Sequence, residues 1–238
     1  MNTSQIKNKF SFFKNDFQNG ILKFDSVLKK FQDIATIHAK ILNIDFDEML
    51  KKNLLWVTLR IKYQVLSQPE INEKLTISTF PSGKTLLEFD RDFVIKSTRG
   101  VLITGSSKWC LIDKDTRRIA KIANLPSLEN LTKPSVFDGK FLKTEIFDTS
   151  ELKPVFEYTI KNDDIDKNGH MNNTKYAKIV QNNFSVNKLP TFFQINFLKE
   201  AMLNDKIYLY QKQIDEKILF LGKLENDEIS FSGEILFD

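Results

Sequence analysis

The stretch Asp164-Ile165-Asp166-Lys167-Asn168-Gly169-His170-Met171-Asn172-Asn173 gathers the side chains of general acid–base chemistry. Seven of its ten residues are Asp, Asn, Gly or His, which disfavours regular structure and marks a tight turn. Asn172 or Asn173 can cap a following helix by accepting from an orphan backbone N–H. A histidine can take and return a proton near neutral pH, and an amide such as Asn168 can donate and accept at once. A well-capped helix start, with His170 merely packed or exposed, is the plain alternative. Phe17-Gln18-Asn19-Gly20-Ile21-Leu22 makes the same turn earlier in the chain with fewer polar groups. The later copy therefore carries more polar side chains than a cap requires.

The elements around these turns recur in the same order. Lys14-Asn15-Asp16, then Asn19-Gly20 and a helical pattern, is echoed by Lys161-Asn162-Asp163, then Asn168-Gly169 and another helical pattern. Further on, Ile71-Asn72-Glu73-Lys74-Leu75 is echoed by Leu203-Asn204-Asp205-Lys206-Ile207, which sets Gln68 opposite Glu200. In the first copy Val27, Leu28, Phe31, Ile34, Ala35, His38, Ile41 and Leu42 recur at helical steps, predicting an amphipathic helix. Strand patterns follow at 55–66, 74–80, 85–96 and 101–113. In the third, Leu87, Phe89, Phe93 and Ile95 alternate with Glu88, Asp90, Asp92 and Lys96, as in a half-buried strand. Pro81-Ser82-Gly83 supplies turn residues between the second and third.

The second copy is shorter. Tyr176, Ile179, Val180 and Phe184 predict a helix, and strands follow at 191–198, 206–211, 217–224 and 228–237. Pro126, Pro134 and Pro154 punctuate the stretch between the copies. The expected organisation is an α+β chain with two antiparallel sheets, each wrapping a long helix. Residues 1–125 form the first unit, 126–153 a linker, and 154–238 the second.

Composition narrows the function classes. The chain of 238 residues is 41% hydrophobic and 28% charged, ordinary for a globular protein. No apolar run is long enough to span a membrane, and the first ten residues lack a signal-peptide core, so a cytoplasmic setting is expected. One cysteine, Cys110, and two histidines, His38 and His170, leave no internal disulfide and no basis for a zinc site. A net charge of +4, spread along the chain without a dense basic run, gives no support to nucleic-acid binding.

The 164–173 stretch resembles the D-x-D-x-N-x-H-x-N-N signature of the acyl-acyl-carrier-protein (acyl-ACP) thioesterases, in its bacterial type. Arg91-Asp92-Phe93, Lys108-Trp109, Leu111-Ile112-Asp113, Thr116-Arg117-Arg118 and Lys121 resemble the family's R-D-F … W … T-R-R-x-x-K block. Phe31-Gln32-Asp33-Ile34-Ala35 with His38 also fits. These matches cover nearly the whole chain in the family's order. They imply a tandem (double) hotdog fold and a hydrolase that releases free fatty acid from acyl-ACP, ending fatty acid synthesis.

Carried over residue by residue, the resemblance places catalysis on Asp166, Asn168, His170 and Glu200, with no cofactor and no metal. Phe197-Leu198-Lys199-Glu200-Ala201 stands where the family has Y-R-x-E-C, so Ala201 replaces the cysteine proposed as nucleophile in plant members. His170 and Glu200 are expected to hold and deprotonate a water, and Asn168, oriented by Asp166, to position the water or the carbonyl. Backbone N–H groups near Asn172–Thr174 are candidate oxyanion donors. A carboxylate nucleophile, Asp166 or Glu200, stays open. The implied partner is acyl carrier protein with its phosphopantetheine-linked acyl chain, met by Arg117, Arg118 and Lys121 unless these form only a solvated strand end. Phe31, Ile34, Ala35 and Ile37 are candidate acyl-pocket liners. The alternatives are a hotdog acyl-CoA thioesterase and a non-catalytic acyl-binding hotdog protein. Oligomeric state is open, a homodimer among the options.

Overall fold

The computed structural model describes residues 4–121, 131–184 and 189–237. In chain order the strands and helices are β1 (Ile6–Phe10), β2 (Phe17–Gln18), β3 (Ile21–Leu22), α1 (Phe24–Ile41), α2 (Phe46–Lys51), β4 (Leu54–Val65), β5 (Leu75–Lys84), β6 (Glu88–Ser97), β7 (Gly100–Asp113) and β8 (Ile119–Ala120). Then come β9 (Phe156–Thr159), α3 (Asn173–Asn182), β10 (Pro190–Phe197), β11 (Lys206–Ile214), β12 (Lys217–Leu224) and β13 (Ile229–Phe237). They fall into two compact units, Met1–Lys14 with Lys29–Lys140, and Asn15–Leu28 with Phe141–Asp238. The division cuts α1 after Leu28.

In the first unit the sheet order is β1-β5-β6-β7-β4, every pair antiparallel. Helix α1 buries the face that its sequence period marks: Phe31, Ile34, Ala35, His38 and, just past its end, Leu42. Phe31 stacks on Phe93 at 4.2 Å and meets Tyr63 edge-on at 6.2 Å. That approach needs Gly105, because a Cβ there would stand 2.2 Å from the Phe31 ring. Asp45 caps α2 by accepting from the N–H groups of Asp47 and Glu48.

In the second unit the order is β10-β13-β12-β11-β9, again antiparallel. Helix α3 buries Tyr176, Ala177, Ile179 and Val180. The first turn of α1 also belongs here, where Phe24 packs on Phe193 at 4.6 Å and stacks on Phe184 at 5.3 Å. The Gln181 side-chain oxygen accepts from the Phe24 N–H at 2.8 Å, satisfying one of the orphan donors of that helix end.

Two local expectations change. Pro81-Ser82-Gly83 lies inside β5 as an irregularity in register against β6, not as a turn. The turn is Thr85–Glu88, closed by Thr85 N–H to the Glu88 carbonyl, with the Thr85 hydroxyl accepting from Leu87 and Glu88. A bulge lets proline miss a ladder bond without ending the strand. Asp92 is not on a solvated face: it is fully buried, and accepts from the Ser82 hydroxyl at 2.7 Å and from the Ser135 hydroxyl and Val136 N–H, both at 2.8 Å.

Those last partners come from the stretch between the repeats. Residues 131–155 form neither helix nor strand, yet they are pinned. In the first unit the Lys62 ammonium stands 4.2 Å over the Phe137 ring. In the second, Phe147 packs on Leu219 and Leu221, and Gln194 donates to the Leu142 carbonyl at 2.8 Å. Partners this distant in sequence are what periodicity cannot reveal.

The internal repeat is written into the backbone. The Phe12 carbonyl accepts from Asn72 N–H at 2.8 Å and the Ile160 carbonyl from Asn204 N–H at 3.1 Å. Asn72 and Asn204 share a left-handed backbone, φ +64° and +72°. The Asp16 carbonyl accepts from Lys23 N–H and the Asp164 carbonyl from Asn172 N–H, each at 2.8 Å. Asp16 therefore matches Asp164, one residue later than the sequence echo aligned it. Gly20 and Gly169 match at φ +80° and +81°, so one residue is inserted between Asp164 and Asn168.

Candidate active site

The turn before α3 is built from its own side chains. Asn172 is the N-cap: its side-chain oxygen accepts from Thr174 N–H at 3.0 Å and the Thr174 hydroxyl at 2.8 Å. Asp164 anchors the start of the turn, accepting from the Tyr158 hydroxyl at 2.7 Å and Lys161 N–H at 3.0 Å, with the Lys175 ammonium at 3.2 Å. Burial pushes this carboxyl up, but the Tyr158 hydroxyl, the Lys161 N–H and Lys175 outweigh burial and hold it below the usual carboxylate range. Burial first, and then the bond to Asp164, push the Tyr158 phenol up to about 12.

Asp166, Asn168 and His170 sit on this turn, and Glu200 reaches His170 from the segment after β10. Asp166 N–H donates to the His170 carbonyl at 2.8 Å, and its carboxylate accepts from Asn168 N–H at 2.7 Å. The contact between Asp166 and Asn168 is thus to the Asn168 backbone, not to its side-chain amide, and Asn168 is exposed. Met171 N–H donates to the Ala201 carbonyl at 2.8 Å, and His170 bridges to Met202. These bonds tie the turn to the Glu200 segment and bring His170 Nε2 to 3.3 Å from Glu200 Oε2. The imidazole is 19% exposed and the carboxylate 38%, so a water or a small substrate group can reach both.

Of the candidate oxyanion donors, the Asn172 and Thr174 N–H groups are already engaged, by Asp164 and by the Asn172 side chain. Asn173 opens α3, so its N–H has no acceptor within the helix and is the donor left over.

Other residues singled out from the sequence lie in the first unit. The buried Arg91 guanidinium, which can only donate, is 2.8 Å from Nδ1 of buried His38, so that nitrogen accepts. Cys110 is 4% exposed, and burial, then Glu88, push its thiol up to about 11, the reverse of an activated nucleophile. Arg117, Arg118 and Lys121 are exposed. Of the candidate liners Phe31, Ile34 and Ala35 are buried, but Ile37 is 46% exposed, because it falls on the opposite side of α1.

Sequence reasoning missed Tyr176 as anything but a helix-face residue. It is 3% exposed, its rim packed by Phe197 at 5.6 Å and Phe231 at 5.1 Å. Burial pushes its phenol up to about 12. The repeat could have flagged it, since Val27 holds the matching position.

A helix packed on one face of an antiparallel sheet, twice in one chain, with a polar turn leading into the second helix, makes this a tandem hotdog protein. Models of the acyl-ACP thioesterase N-terminal and C-terminal domains match residues 4–125 and 148–237, and the chain belongs to that family. It is 28% identical over 171 residues to the chloroplastic palmitoyl-acyl carrier protein thioesterase of Cuphea hookeriana, covering 64% of this chain and 40% of that one. To the chloroplastic oleoyl-acyl carrier protein thioesterase of Coriandrum sativum it is 23% identical over 188 residues, covering 71% and 51%. The chain thus spans about half the length of these relatives, or less. A crystal structure of an acyl-ACP thioesterase from Bacteroides thetaiotaomicron superimposes with a TM-score of 0.90 at 20% identity, covering 99% of this chain and 98% of that one. The 12:0-ACP thioesterase from Umbellularia californica does so at 0.87 and 17%, covering 98% and 97%. At such identities the agreement speaks for the fold.

Proposed function

We propose that this chain hydrolyses fatty acyl thioesters carried on acyl carrier protein and releases free fatty acid, in the cytoplasm. The observation that carries this reading is the pairing of His170 with Glu200 on a half-open turn at the start of α3, in a chain of this family. A thioester carbonyl is weakly resonance-stabilised and its thiolate leaves easily, so a positioned base and an oxyanion donor suffice. His170, oriented by Glu200, takes a proton from water as the water oxygen bonds to the carbonyl carbon. The Asn173 N–H donates to the developing oxyanion. The C–S bond then breaks, and His170 returns the proton to the leaving sulfur, giving a carboxylic acid and a free thiol. Asp166 holds the turn by its backbone contacts, leaving the exposed Asn168 amide for the water or the substrate carbonyl.

The test is a turnover panel of acyl carrier proteins loaded with chains of increasing length, read as fatty acid and thiol released, beside the same acyl groups on coenzyme A. Hydrolysis that prefers the carrier protein is expected. Preference for coenzyme A would replace the carrier in this reading, and tight binding without release from either would replace hydrolysis with acyl binding.

A further inference from the structure

The short antiparallel pairing between the turn before α3 and the Glu200 segment decides which side chains share its open face. His170 is bridged to Met202. In an antiparallel pair the residues directly opposite point to the same side, with Cβ atoms about 4.5–5.5 Å apart. Their neighbours Met171 and Ala201, joined by the Met171 N–H to the Ala201 carbonyl at 2.8 Å, are both buried and point the other way. Glu200, two residues before Met202, returns to the open side, where its carboxylate meets His170 Nε2 at 3.3 Å. His170, Glu200 and Met202 therefore form one face. The Met202 backbone is pinned: its N–H donates to the Asp205 carboxylate at 2.8 Å, and its carbonyl accepts from Asp205 N–H at 3.1 Å. Its side chain is nevertheless 47% exposed, an apolar group held open beside the His170–Glu200 pair.

The first repeat provides the internal control. Leu66 and Ser67 N–H groups share the Leu102 carbonyl, at 2.8 and 3.2 Å, as Leu198 and Lys199 share the Ser230 carbonyl, at 2.8 and 3.0 Å. Glu70 N–H meets the Glu73 carboxylate at 2.9 Å, the bond that Met202 N–H makes to Asp205. In this register Leu66 matches Leu198, Gln68 matches Glu200, Glu70 matches Met202 and Ile71 matches Leu203. Leu66 and Leu198, like Ile71 and Leu203, are apolar and exposed in both copies, so they belong to the fold. Glu200 and Met202 differ from their counterparts together. Where the acid is missing the apolar side chain is missing too, and a charged one, Glu70, is exposed in its place. Met202 accompanies the carboxylate.

We propose that Met202 is a specificity-determining residue that packs on the thiol half of the substrate, against the thioester sulfur and the first carbons of the arm beyond it. The proposal rests on the functional reading above. A carbonyl that reaches both His170 and Glu200 lies beside the side chain opposite the imidazole. The acyl chain is apolar and runs to the buried side of the site, whereas the thiol half leads out to a carrier that stays in solvent. The exposed member of the face therefore meets the thiol half. A thioether is unbranched and polarizable, and adapts to a neighbouring sulfur.

Met202→Gln keeps the side-chain length and makes it polar. It should raise KM about 3- to 10-fold with kcat changed less than about twofold, the pattern of lost uniform binding. Met202→Leu, similar in volume and still apolar, should keep KM near the wild-type value. Leu203→Ala, at an exposed position common to both repeats, should not raise it. The rise in Met202→Gln should be the same for one acyl group on acyl carrier protein, on coenzyme A and on N-acetylcysteamine, which keeps the sulfur and the carbons next to it. It should also be the same for short and long chains on one carrier. A rise that grows with chain length would put Met202 on the acyl side, and one confined to acyl carrier protein would put it against the carrier's surface. Either result overturns the proposal, as does an unchanged KM or an equal rise in Leu203→Ala. A wild type that releases no fatty acid would sink the functional reading instead. Calorimetry with a non-hydrolysable S-alkyl thioether of N-acetylcysteamine would then decide: weaker binding in Met202→Gln but not in Met202→Leu is expected, and equal binding in both would overturn the role of Met202.

Discussion

Gln68 and Glu200 occupy one position in two copies of the same backbone: each follows two N–H groups that share a single carbonyl, that of Leu102 in the first case and of Ser230 in the second. Only Glu200 has an imidazole beside it, at 3.3 Å. Glu200→Gln keeps the side-chain size and removes the charge, so it should lower turnover by at least about 100-fold while acyl-analogue affinity stays nearly constant. Gln68→Glu should not restore it. A tight non-hydrolysable acyl analogue should titrate at one equivalent per chain, and two equivalents would show that the first copy is also competent.

His170→Ala and Asn168→Ala should each cost about 10² to 10⁴-fold in kcat, the range for loss of a general base or its positioning partner. Both residues are partly or fully exposed and the helix cap belongs to Asn172, so melting temperatures should barely move. Steady-state kinetics beside thermal denaturation separates the two effects. Unfolding, or near-normal turnover, would reduce the turn to a helix start.

Cys110→Ser should leave turnover nearly intact. The thiol is buried in β7 and pushed up to about 11, so little of it is thiolate at neutral pH. Alkylation of the folded protein should be slow and harmless to activity. A folded serine variant without turnover would revive a thiol mechanism.

Asp164→Asn should destabilise the second unit, because Tyr158, Lys161 and Lys175 all converge on that buried carboxylate. The loss should be about 2 kcal/mol, the scale of a hydrogen-bonded buried charge. Its carboxyl is held below the usual range when folded, so its contribution is complete above the unfolded value of about 3.9 and disappears as pH falls through the lower folded value. Chemical denaturation at pH 7 should therefore separate the variant from wild type, and the gap should close as pH drops below about 4. A gap that persisted unchanged in acid would remove the carboxylate from the account.

Much of the architecture was legible in the sequence because it depends on neighbours in the chain. The three- and four-residue steps of Val27, Phe31, Ile34 and His38 name the buried face of α1, and alternation locates the strands to within a few residues. The doubled Asn-Gly turns announced the repeat because the left-handed backbone that recurs at Gly20 and Gly169 favours glycine. The polar excess of 164–173 likewise marked that turn, and the resemblance to the family's signature picked out Asp166, Asn168 and His170 within it. What depends on distant partners was not legible. Asp92 looked like a solvated strand residue until Ser135 and Val136 covered it. The one-residue register of the repeat was set by hydrogen bonds, not by letters. Tyr176 carried the helical period of a core residue, and periodicity reports which side of a helix is buried, not what its hydroxyl meets. Only the tertiary structure brings the Ser230 hydroxyl on β13 to the Lys199 carbonyl beside Glu200, at 2.8 Å, because groups far apart in the chain converge through sheet register.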